Sequence, residues 1–63
     1  MKQTLRTELE NMLSKIERRI AMLEENIASY KIEDNFEGAM KNQIKMNTLI
    51  LIKEDLQVIL STY

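Results

Sequence analysis

The sequence predicts an all-α fold: two helices folded back as an antiparallel, coiled-coil-like hairpin that pairs with a second copy as a dimeric four-helix bundle. Three observations carry this expectation. Apolar residues recur at Leu9, Leu13, Ile16, Ile20, Leu23, Ile27 and Tyr30 in steps that alternate four and three. That is the heptad seam of a helix packed lengthwise on another helix. A short polar stretch with a helix-start signal follows it. Beyond that lies a second helical stretch of matching length, with more apolar surface than one neighbour can cover.

The first helix is expected over about residues 4–31. Thr4 is a plausible N-cap, and Glu8 in the first turns is well placed against the helix dipole. No Gly or Pro interrupts the stretch. The seam, with Leu5 and Met12 beside it, covers about a third of the helix circumference. Glu10, Glu17 and Glu24 form an acidic edge, Arg19 flanks the seam, and Lys15, Arg18, Met22 and Glu25 lie on the far side. Charges in such positions read first as a solvated face. Met22, the one outward methionine of this helix, together with Lys15 and Arg18, is the candidate outer contact face. The other methionines, Met12, Met40 and Met46, read as filler on or beside seams.

The connection is expected at about residues 32–34. Asp34 and Glu37 have the spacing of a capping box, with Asn35 as the competing N-cap. Either choice leaves a link of a few residues, which makes the two helices antiparallel neighbours. Gly38, the single glycine, falls in the first turn of helix 2, where it weakens the helix relative to Ala. Close approach of Tyr30 or Phe36 to that backbone is one reason for it; tolerance near a helix end is the other.

The second helix is expected over about residues 35–61. Its apolar residues form two stripes. One holds Phe36, Met40, Ile44, Leu51 and Val58, interrupted by Asn47; the other holds Leu49, Ile52, Leu56, Ile59 and Tyr63, with Met46 and Leu60 at its edge. At 100° per residue the stripes lie roughly 140° apart. One partner helix covers one stripe, so the other calls for a further neighbour. The second stripe, Leu49, Ile52, Leu56, Ile59 and Tyr63, is the expected face for self-association or a partner. Asn47 is a candidate register-fixing polar residue, or simply a wet edge.

A chain of 63 residues holds one small domain, here residues 1–63 as a single hairpin. Domains this small bury only about 60% of their unfolded surface and usually need a staple or a partner. With no Cys and no His, disulfides are excluded and transition metals lose their best ligands. The same absence removes thiol nucleophiles and imidazole bases, and no phosphate loop or calcium-loop series is present. No catalytic, cofactor-binding or metal-ligating residue is expected, and the chain reads as non-enzymatic. A net charge of −1 argues against a general polyanion binder. No secretory signal pattern or bilayer-length apolar run is visible, so the expectation is a cytoplasmic protein without membrane contact.

In style, short, helical and without catalytic groups, the sequence resembles accessory proteins of phages and mobile elements. Two hairpin families fail on their own motifs. The stretch Lys53-Glu54-Asp55-Leu56-Gln57 lacks the Ser-Gln-Glu-Leu-Asp order of the sporulation phosphatase regulators. Phe36-Glu37-Gly38 has Phe where the small type VII secretion substrates have Trp. The leading expectation is therefore a protein–protein interaction module, a small regulator or inhibitor that acts through a helix face and forms a homodimer. The alternatives are a small dimeric nucleic-acid-binding protein using Lys15, Arg18 and Arg19, and a structural segment of a larger bundle. In the hairpin, Lys41 and Lys45 are expected nearer Glu24 and Glu25 than nearer the arginines, which favours intramolecular charge pairing over a phosphate track.

Overall fold

A computed structural model describes residues 2–62 of the protein, with side chains from Thr4 onward. It contains two helices, α1 (Lys2–Ile32) and α2 (Phe36–Ser61), packed against each other. Three pairings fix their sense. Tyr30 lies against Gly38, Lys53 Nζ reaches Glu17 at 3.6 Å, and Arg6 Nη1 donates to the Leu60 carbonyl at 3.3 Å. Residues early in α1 thus meet residues late in α2, which is an antiparallel hairpin. The molecule is a rod of 49 × 14 × 12 Å. Its radius of gyration is 14.7 Å, against about 10.6 Å for a compact domain of this length.

α1 is explained by its seam. Leu9, Leu13, Ile16, Ile20, Leu23, Ile27 and Tyr30 are its only described side chains that are not exposed, and Ile20 and Ile27 are buried. One apolar line at heptad spacing therefore meets one partner helix. The helix starts earlier than the Thr4 signal indicates, at Lys2, so Thr4 lies inside it rather than at its cap.

The turn uses both candidate capping residues, for different jobs. Asp34 adopts a left-handed conformation, with φ 59°. Asn35 N–H donates to the Tyr30 carbonyl at 2.8 Å, and Asp34 N–H donates to the Lys31 carbonyl at 3.2 Å. This pair of bonds is a Schellman motif, which satisfies carbonyls that α1 would otherwise leave unpaired. An Asp tolerates the left-handed region where most residues do not. Asn35 is then the N-cap of α2, its Oδ1 accepting from Gly38 N–H at 3.0 Å. The Asp34–Glu37 capping box does not form, because Asp34 is spent ending α1.

Gly38 has a steric reason. A Cβ built there would sit 2.9 Å from Tyr30 Cδ1 and 3.0 Å from Cε1. The Tyr30 ring closes the turn end of the hairpin over Gly38, and a Cβ there would have to push the ring aside. Ala39, next in sequence and 6% exposed, continues the same close approach.

α2 turns inward a line that shares only Met46, Leu49, Leu56 and Leu60 with the second stripe and its edge, and nothing with the first. Its described residues that are not exposed are Gly38, Ala39, Asn42, Gln43, Met46, Leu49, Ile50, Lys53, Leu56 and Leu60. This line includes three polar side chains. Asn42 Nδ2 donates to the Gly38 carbonyl at 2.8 Å. The half-buried Lys53 lays its stem along the interface and takes its ammonium out to Glu17. That ion pair is largely solvated and contributes well under 1 kcal/mol. The register is set by the turn, and the turn brings Ala39 and Met46 inward rather than Met40 and Ile44.

Candidate interaction faces

With α2 rotated this way, the first stripe points straight out. Phe36, Met40, Ile44, Leu51 and Val58 are between 61% and 66% exposed. They share the side of α2 opposite α1, with Asn47 near the middle, where its Oδ1 accepts from Gln43 Nε2 at 2.9 Å. Glu54 completes the heptad line through Met40, Ile44, Asn47, Leu51 and Val58. This is a second seam, spaced like that of α1, with no helix on it.

The second stripe divides. Leu56 is 7% exposed and spends its surface within the hairpin, and Leu49 is half-buried at the edge of the interface. Ile52 and Ile59 are each 42% exposed. Tyr63 lies outside the described residues. The expected self-association face therefore does not come together as one outward surface. Ile52 instead borders a trough on one side of the rod, which Ile59 does not line. Arg19, Met22, Leu23 and Asn26 line that trough from α1 and Ile44, Lys45, Thr48 and Leu49 from α2. It runs on toward the open end of the hairpin through Met12, Lys15, Ile16 and Ile52.

The cations sit differently from the sequence expectation. Lys41 pairs along its own helix with Glu37, at 3.4 Å. Lys45 lines the trough with Arg19 and pairs with neither Glu24 nor Glu25. Lys15, Arg19 and Lys45 all border the trough, and none of the three forms an ion pair among the described residues. Of the outer contact residues expected on α1, Lys15 and Met22 therefore face the trough, while Arg18 turns away and donates to the Ser14 carbonyl. The acidic edge lies on the other side of the rod, where Glu10 pairs with Arg6 at 2.9 Å and Glu17 with Lys53.

The chain matches no protein-family model, no curated protein and no solved structure. Among the described residues, no group of three acidic side chains is arranged to hold a metal. No helix among the described residues is long and apolar enough to cross a membrane.

The trough is the feature that sequence reasoning passed over. The signal for it was present: Met12, Lys15, Arg19 and Met22 recur at steps of three and four, one line beside the seam. In sequence the line reads as filler methionines and solvated charges, because neither residue type alone marks a face.

Proposed function

We propose that this hairpin is a non-enzymatic protein-interaction module that closes as a homodimeric four-helix bundle through the outer stripe of α2. The observation that carries the reading is the surplus of apolar surface. Among the described residues only Ile20, Ile27, Ala39 and Leu56 are buried, whereas eleven large apolar side chains are exposed. The accessible surface is 5120 Å², roughly 900 Å² more than expected for a compact monomer of this mass. A standard interface removes about 800 Å² from each partner. A second copy on the outer stripe accounts for that surplus.

The stripe is self-complementary when two copies run antiparallel with Asn47 at the two-fold axis. Ile44 of one copy then lies opposite Leu51 of the other, and Phe36 opposite Val58. Lys41 of one copy lies beside Glu54 of the other. A parallel arrangement would set Glu54 against Glu54, a like-charge pairing within the seam. Asn47 meeting its own counterpart is the kind of polar pair that fixes register at some cost in stability. From this assembled form the module would act as a regulator or inhibitor, occluding or bridging a partner protein with a helix face.

The test is solution mass by light scattering over a hundredfold concentration range. The wild type is expected at twice the chain mass. Leu51→Asp with Val58→Asp is expected at the monomer mass with helical circular dichroism retained, since both side chains are exposed in the hairpin. A wild-type monomer throughout, or a double variant that stays dimeric, overturns the reading.

A further inference from the structure

We infer that the trough bordered by Lys15, Arg19 and Lys45 binds an amphipathic helix with acidic flanks, supplied by another protein. This rests on and deepens the reading of the chain as an interaction module; the trough adjoins the proposed dimer seam, and Ile44 stands at the border of both. The floor and walls of the trough are apolar, with Met12, Met22 and Ile52 exposed and Leu49 half-buried along them. From Met12 to Asn26 the trough runs about 21 Å, or four helical turns. A hollow between two nearly aligned helices is the shape that receives a third helix, whose apolar ridge enters it while its flanks meet the rim.

The rim selects the occupant. Lys15 and Arg19 stand on the α1 side, Lys45 on the α2 side, and none forms an ion pair among the described residues. A helix with an apolar ridge and Glu or Asp on both flanks would place carboxylates at both edges. A second copy placed symmetrically here would bring these cations against themselves, so the dimer axis belongs on the outer stripe instead. A flat lipid surface reaches apolar groups on a crest better than those within a hollow. Nucleic acid would lay phosphates over apolar side chains, with three cations to hold them and no aromatic platform beneath.

The probe is a synthetic helical peptide of about five turns, with Leu at the a and d positions and Glu at the flanking e and g positions. A twin carries Lys in place of Glu. Fluorescence anisotropy at low salt is expected to show the Glu peptide binding at least tenfold tighter than the Lys twin, with the gap narrowing as salt rises. The triple variant Lys15→Glu, Arg19→Glu, Lys45→Glu is expected to reverse that order while keeping its helicity and solution mass. Unchanged mass separates this site from the dimer face. The inference is overturned if both peptides bind alike, if neither binds, or if the triple variant keeps the wild-type order. It is also overturned if phosphatidylserine vesicles or duplex DNA bind more tightly than the Glu peptide and displace it.

Discussion

α1 and α2 differ in how many neighbours their sequences ask for. In α1 every described side chain that is not exposed belongs to one heptad line, and that line meets α2. In α2 the inward line is part polar, holding Asn42, Gln43 and Lys53, while Phe36, Met40, Ile44, Leu51 and Val58 face away from α1. The heptad seam of α1 is met within the hairpin, whereas the outer seam of α2 is not. The lesson is that apolar lines on a helix count its neighbours, but hydrophobicity alone does not say which line belongs to which neighbour. Turn geometry decides that, since the closing residues fix the rotation of α2 before its side chains are compared.

The largest expected effect tests this contrast by truncating one residue on each helix. Ile27→Ala, at the buried seam, should cost about 2–4 kcal/mol in urea unfolding. Leu51→Ala should cost no more than about 0.5 kcal/mol when measured on dilute monomer. Equal losses would mean that the outer stripe is already packed within a single chain.

An intermediate effect is expected at the turn. Gly38→Ala should gain up to about 1 kcal/mol of intrinsic helix preference, yet a Cβ there lies 2.9 Å from the Tyr30 ring. The ring must shift, and the net result should be a loss of about 1 kcal/mol. In a Tyr30→Leu background the same substitution should become neutral or stabilising, a coupling that a double-mutant cycle by thermal melting would read directly. The smallest effect should come from Asp34→Gly. Relief of the left-handed Asp should raise stability by about 0.5 kcal/mol, seen as a small upward shift in Tm. A drop would show that the Asp34 side chain contributes something beyond its backbone conformation.

Much of the fold was legible from residues. The seam from Leu9 to Tyr30 identifies the packed face of α1 because heptad spacing has few other physical causes. The turn was legible only as a choice between Asp34 and Asn35, since both residues cap helices and both tolerate left-handed backbone. What separated them was the Schellman pair closing α1, which depends on bonds back to Tyr30 and Lys31. The inward face of α2 was not legible. Lys53 and Gln43 look like surface residues, and only three-dimensional packing shows that a lysine stem can cover a seam. The candidate site was hidden for a related reason: Lys45 and Arg19 are distant in sequence, and their shared border on the trough depends on the rotation of α2.

The Tyr30–Gly38 closure has a further consequence, for how the chain finds its shape. Those residues are close in sequence, so bringing them together confines a short loop and forfeits little chain entropy. Arg6 and Leu60, joined at the other end of the rod, would enclose nearly the whole chain if they met first. Once Tyr30 has settled over Gly38, each later pair adds only a turn to a loop already closed. Loop closure therefore favours a zipper from turn to termini, a low-contact-order route that predicts fast folding in a stopped-flow experiment.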